Sequence, residues 1–396
     1  MRILLISVIS QWPISTYAQF EDRGVSWSVD YTGDYVSNFK GGNGQGGVFL
    51  GNLDLLLQLN GDRLWGLDGS SVFLYGLNNH GGAPSDLVGD AQGLDNIEAP
   101  AAWRLYEAWI EQTFWTSKIS ALVGFYDLNS EFDATETGGL FINSSHGIGP
   151  DISQSGKNGP SIFPVTSLGI RLKWAPRENM YLQGVALDGV SGDPESPRNN
   201  IPKWSQDDGV LLVAETGFLI ASEGVGVRRF DEGAYSLKIS AGYWLNTSEI
   251  DAIDIETNAS NQGFYALVDK NIFREKDSPA EGLNAFFRFG MAESTLNRFG
   301  SYVGGGISYS GLFAGRDEDQ IGLSVAHAMN GDAYRTASDR IGVPTERSET
   351  VFEFAYGAVI TDKASVQLDL QYVVNPDTNP DLNNAFAGIM RWVFSL

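Results

Sequence analysis

The chain finishes on a strand whose two faces differ in kind. Within residues 385–396, Ala387, Ile389 and Arg391 share one parity, and Gly388, Met390, Trp392, Phe394 and Leu396 share the other. Side chains on a strand point to opposite faces in turn, so the second set forms a continuous apolar, aromatic-rich stripe behind a face that carries a charge. A strand with an oily outside and a polar inside, closing a run of similar strands, is what a β-barrel in a lipid bilayer requires.

Composition agrees. The 396 residues include 47 Gly with 12% aromatics, a pairing that suits pleated surfaces and weakens helices. The net charge of −23 argues against a nucleic-acid partner, which needs clustered Lys and Arg, and leaves sugars, cations and other small solutes open. Without cysteine there is neither a disulfide framework nor a thiolate metal site. Residues 1–18 read as a signal peptide: Arg2, an apolar run from Ile3 to Ile9, Pro13, then Thr16 and Ala18 before a cut at Gln19. The remainder, 19–396, reads as one barrel domain, because no later stretch approaches the roughly 18 to 20 apolar residues of a membrane helix.

Sixteen strands are expected, at about 25–36, 50–59, 69–78, 103–115, 118–127, 166–174, 180–188, 209–218, 234–244, 262–270, 283–291, 301–312, 319–328, 349–359, 365–373 and 385–395. Their links alternate in length. Those at 115–118, 175–179 and 360–364 turn back at once, whereas 79–102, 128–165, 189–208 and 329–348 are long. Tight turns at one end and long loops at the other match the periplasmic and extracellular ends of an antiparallel transmembrane β-barrel.

Alternation within strands assigns the interior. Gln367, Asp369 and Gln371 interleave with Val366, Leu368, Leu370 and Tyr372. Asn284, Phe286 and Arg288 interleave with Leu283, Ala285, Phe287 and Phe289, and Lys238, Ser240 and Trp244 with Leu237, Ile239, Ala241 and Tyr243. Lys or Arg facing lipid at the midplane costs about 2 to 4 kcal/mol, so the polar sets line an interior expected to be wet.

Motifs for other chemistries fail on context. Gly42, Gly44 and Gly47 have dinucleotide-fingerprint spacing but precede a strand-like run, so a surface loop is the better reading. Gly156-Lys157 lacks the first Gly and the final Ser or Thr of a phosphate loop. His80, His146 and His327 share no metal spacing, with two of them in expected external loops, and no cofactor is expected. Glu107 and Glu111 flank Trp109 on one strand face, about 13 Å apart, too far for the carboxylate pair of a glycosidase. They suit a polar ladder with an aromatic platform for a sugar ring, or plain pore lining. The 128–165 link, too long for a hairpin, is expected to fold partly inward and narrow the channel.

The chain resembles the carbohydrate-selective, OprB-type porins of Gram-negative outer membranes from about Gly24 to Leu396. The resemblance is carried by Arg104-Leu105-Tyr106-Glu107-Ala108-Trp109, Gly124–Phe132, Phe141-Ile142-Asn143-Ser144-Ser145, Pro164–Arg171, Gly304–Gly311, Arg316–Gly322 and Leu370-Gln371-Tyr372-Val373-Val374-Asn375-Pro376. It implies a sixteen-stranded barrel that conducts sugars passively past a constriction of charged and aromatic side chains. Such porins commonly finish on an aromatic residue, where this chain has Leu396 after Phe394.

Wall residues expected from alternation are Glu107, Trp109, Glu111, Arg171, Glu215, Lys238, Trp244, Arg288, Glu353, Asp369 and Gln371. Asp127, Asn129 and Phe132 join them through the matching segment. Charged and amide groups replace water on sugar hydroxyls, aromatic faces cover the ring, and weak binding lets the cargo leave. The expected partners are mono- or oligosaccharides and outer-membrane lipid, with trimers implied by porins at large. The rivals are a general or cation-preferring porin, favoured by the acidic balance, a barrel enzyme, which lacks a convincing catalytic pair, and a plugged surface adhesin.

Overall fold

Sixteen strands pair in sequence order and close into one antiparallel barrel in the computed structural model, which describes residues 23–115, 118–193, 208–221, 235–253, 258–276 and 281–396. They are β1 (Val25–Lys40), β2 (Gly46–Asn60), β3 (Ser70–Gly81), β4 (Ala102–Phe114), β5 (Ile119–Tyr126), β6 (Ser167–Arg177), β7 (Met180–Asp188) and β8 (Val210–Ala221). The second half holds β9 (Tyr235–Asp251), β10 (Asn258–Arg274), β11 (Gly282–Ala292), β12 (Phe299–Ser310), β13 (Gln320–Asn330), β14 (Ser348–Thr361), β15 (Ala364–Val374) and β16 (Ala385–Ser395). Each matches one expected segment. The largest differences are at β9 and β10, which run on past the expected ends and leave only 252–257 between them. The expected signal peptide, 1–18, lies outside the described residues.

Closure is made by β1 against β16, with Asp34 opposite Arg391 and Tyr31 opposite Phe394, and Leu396 N–H donates to Val29 C=O at 2.9 Å. The physical need is strict. An unpaired peptide group in hydrocarbon costs several kcal/mol, and a closed sheet leaves no edge. No helix among the described residues is long and apolar enough to cross a membrane; the strands are what can.

The period-two pattern holds through every segment used to assign the faces. Gln367, Asp369 and Gln371 are buried while Leu368 and Tyr372 are exposed, and Arg288 is buried beside exposed Phe287. Exposed Ile110, Val123, Ile170, Leu172 and Leu323 belong to an outward apolar belt far larger than a water-soluble surface tolerates. Exposed Trp103 stands at one rim of it, and Trp115 and Trp174 at the other, as an interfacial aromatic girdle does.

The long links, 82–101, 127–166, 189–209 and 331–347, all leave the same end, and 178–179 and 362–363 turn tightly at the other. Links 41–45, 252–257 and 293–298 share the long-link end yet are short, the first two between strands of 15 to 17 residues. His80, expected in an external loop, is part of β3 and bonds the Tyr31 hydroxyl at 3.0 Å.

Candidate permeation site

A β-bulge prepares the site on β4. Pairing with β3 shifts between Tyr75 and Gly76, which face Glu107 and Leu105, so Tyr106 is the extra residue and both Tyr106 and Glu107 turn inward. Beyond it Trp109 and Glu111 keep the inward parity expected of them. Trp109 Nε1–H donates to Glu107 at 3.3 Å, and Asp127 N–H donates to the same Glu107 oxygen at 3.0 Å.

From Asp127 the link 127–166 folds into the barrel, and the inward-facing wall residues fasten it there. Glu215 on β8 accepts from Asp133 N–H at 3.0 Å, the Tyr265 and Tyr181 hydroxyls at 2.7 Å each, and Gln183 Nε2 at 3.1 Å. Four donors thus converge on the one carboxylate. Asp269 on β10 holds the Thr137 N–H at 2.9 Å, and Glu353 on β14 holds the Ile142 and Asn143 N–H groups. Lys238 Nζ donates to Ala134 C=O at 2.7 Å, and Gln367 Nε2 to Leu140 C=O at 2.8 Å. Asn129 ties the segment to itself through Gly147 C=O at 2.9 Å. His146, which burial pushes down to about 3, bonds the Ser324 hydroxyl at 2.8 Å as a neutral ring.

Two arginines carry the charge balance. Arg288 is clamped by Asp133 at 2.7 Å and by Asp151, and its guanidinium lies 5.2 Å from the Tyr302 ring centroid. Arg171 pairs with Glu111 at 2.8 Å and Glu131 at 2.7 Å, while Lys173 pairs with Glu131 at 3.0 Å. Gly149 and Gly290 are required beside the Arg288 clamp, since a Cβ on either would strike Arg288 or Asp151. Gly290→Ala is therefore expected to raise single-channel conductance by displacing the segment. Wild-type conductance in that variant would show that the clamp has slack.

Glu131 gives the Arg171 and Lys173 pairing a defined pH range. Burial pushes its carboxyl up, but Arg171 and Lys173 outweigh this and hold it at about 2 against an ordinary 4.5. A depressed folded value contributes stability that is complete above the unfolded value and is lost as pH falls through the folded one. The part of the conductance that depends on Glu131 is thus expected to hold steady down to about pH 4.5 and to change in a step between there and about pH 2. In Glu131→Gln that step should vanish; an identical titration curve would refute the assignment.

The sequence expectation placed the wall residues facing inward, and they do. Most of them meet protein there, which corrects the expectation of a wet interior along the whole wall. Phe132, Trp244, Asp369 and Gln371 have no exposed surface. An apolar cluster that includes Phe73, Tyr106, Leu122, Phe132, Ile152, Trp244 and Tyr265 packs the 127–166 segment against the wall. Trp109 lies 5.1 Å from Phe73, ring centre to ring centre. Glu111, with a fifth of its side chain accessible, is the exception among the wall residues.

A second inward link was missed. Residues 82–101 also enter the barrel: the Ala91 and Gln92 N–H groups reach Glu349 on β14, and Arg391 on β16 holds Asp34, Asp95 and Asn96. The two links bond each other through Asn96 N–H to Ile142 C=O at 3.0 Å and Ser144 N–H to Gly93 C=O at 2.9 Å. Gln371 bridges both, donating to Leu94 C=O at 2.8 Å and accepting from Asn143 Nδ2 at 3.3 Å. The one advance signal was Arg391 itself, an inward charge with no partner in its own neighbourhood of sequence.

A closed barrel with an apolar outside, narrowed by an inserted loop pinned through charged wall residues, defines a membrane channel of the porin class. Residues 45–396 match the family model described as carbohydrate-selective porin, OprB family, and the chain belongs to that family. Porin B of Pseudomonas aeruginosa is 22% identical over 424 residues, covering 96% of this chain and 90% of that protein. The high-pH structure of Pseudomonas putida OprB superposes with a TM-score of 0.83 at 19% identity, covering 95% of each chain. Its low-pH structure gives 0.62 at 17%, covering 98% of this chain and 99% of that one. The protein is a carbohydrate-selective porin of the outer membrane, a passive channel and not an enzyme.

Proposed function

We propose that mono- and oligosaccharides cross this barrel along the face of the 127–166 segment, and that the wall residues divide their work. Glu111 meets the sugar, its carboxylate accepting from ring hydroxyls, and Trp109, buried against Phe73 and bonded to Glu107, stiffens the wall behind it. Glu215, Arg288, Glu353, Asp369 and Gln371, with Glu107, Lys238, Trp244 and Arg171, position the segment against the wall. Asp127, Asn129 and Phe132 set its entry and first turn. The observation that carries this reading is the inserted segment held by side chains from nine strands or more, among them β4, β6, β8, β9, β10, β11, β13, β14 and β15, which supports a narrowed passage over an open one.

In this reading the chain is exported by residues 1–18, folds as 19–396, and is ringed by outer-membrane lipid. The trimer implied by porins at large is tested by crosslinking in native membranes, where monomer alone would remove it. Liposome swelling with mono- to trisaccharides tests the passage: rates should fall steeply with size, and Glu111→Ala should lower sugar flux and sugar block of ionic current. Equal rates across sizes and in the variant would leave a general pore.

A further inference from the structure

We infer that this channel sorts sugars by charge, passing neutral sugars and protonated amino sugars and holding back those that bear a carboxylate or phosphate. The inference rests on the proposal that sugars pass here, and adds to it the class of sugar.

The argument is the order in which charges meet water. Where the wall meets the inserted segment, Arg171 is 3% accessible at its side chain, whereas its partners Glu111 and Glu131 are 21% and 19% accessible. The cation sits behind, and the carboxylates sit in front. Further round the lumen the charges are balanced and shielded from solutes, the arginine side chains 5% to 6% accessible and their carboxylates 0% to 1%. Arg288 and Arg391 are buried, each between two carboxylates, Asp133 with Asp151 and Asp34 with Asp95. Lys173, the more accessible lumen cation of this group, is bound to Glu131. Asp30, inward on β1 and partly accessible, accepts a hydrogen bond from the Ser28 hydroxyl at 3.0 Å.

A solute in this passage therefore meets a negative field with its counter-charges screened by protein. Low-dielectric walls focus such a field, so a wall of one sign alters local solute concentration by roughly tenfold or more. An added negative charge on a sugar opposes entry, and an ammonium group assists it. Hydroxyls are indifferent to the sign.

Efflux of labelled glucose, glucosamine and glucuronate from proteoliposomes at neutral pH tests this, alongside the reversal potential in a potassium chloride gradient. At low ionic strength glucuronate should leave roughly tenfold more slowly than glucose, and glucosamine at least as fast as glucose. The spread should collapse near 1 M salt, where the screening length is about 3 Å. Asp30→Asn and Glu111→Gln, checked for folding by the heat-modifiable gel shift of the barrel, should narrow the glucose to glucuronate ratio, and the reversal potential should lie toward potassium. Equal rates at low salt, a ranking that survives 1 M salt, or a reversal potential toward chloride would each overturn the inference. Failure of glucose itself to cross would count against sugar passage, and the reversal potential would still decide the sign of the field.

Discussion

Arg288→Ala is expected to detach the 127–166 segment and widen the channel while the barrel stays closed. The guanidinium is buried between Asp133 and Asp151 and stacks near Tyr302 and Tyr265. Removing it strands two carboxylates inside protein, at a cost of about 3 to 5 kcal/mol. That cost falls on the segment and spares the sheet, because the β1–β16 closure and its peptide bonds do not involve Arg288. The segment relieves it by moving both aspartates into water. Single-channel conductance should rise and the size limit in liposome swelling should move upward, with the heat-modifiable gel shift retained. Combining Arg288→Met with Asp133→Asn and Asp151→Asn should restore much of the wild-type conductance, since replacing a whole buried ion group is often neutral where breaking it is not. Conductance unchanged in Arg288→Ala would mean that the other fasteners hold the segment without it.

All sixteen strands could be read from sequence because the signal is local. Two-residue alternation such as Gln367, Asp369 and Gln371 against Leu368 and Leu370 needs no knowledge of the partner strand, and lipid outside makes the penalty for a wrong parity large. What failed was whatever depends on two distant segments at once. The bulge at Tyr106 is invisible because Tyr106-Glu107 keeps ordinary alternation on paper, and only the pairing with β3 reveals the extra residue. Alternation told that Glu215 and Glu353 point inward; Asp269, which does the same, was not singled out by it. It did not tell that their targets are the N–H groups of Asp133, Thr137 and Ile142 on the inserted segment. A backbone N–H has no residue type, so no motif announces it. The length of the 127–166 link gave its inward turn away, whereas the shorter 82–101 link had no such excess.

Arg391→Ala is expected to have the second large effect, and its pH dependence separates it from the first. Arg391 is buried on β16, binds Asp34 across the closing seam at 2.7 Å, and reaches Asp95 at 3.3 Å and Asn96 at 2.7 Å on the 82–101 link. Burial and the neighbouring Asp34 charge push the Asp95 carboxyl up even with the guanidinium present. Without it, Asp34 and Asp95 face each other with no cation between them, and about 3 to 5 kcal/mol of destabilisation acts at the seam and on the link together. Unlike Arg288→Ala, this change should lower the temperature at which the barrel converts to its unfolded gel form as well as loosen a loop. The sign with pH follows from the carboxylates: protonating either one ends the repulsion, so the loss should be largest at alkaline pH and shrink as pH falls. Asp34→Asn in the Arg391→Ala background should achieve the same rescue at neutral pH. If conversion temperatures of the single and double variants agree at every pH, repulsion between these two carboxylates is not what Arg391 suppresses, and its role reduces to packing beneath the link.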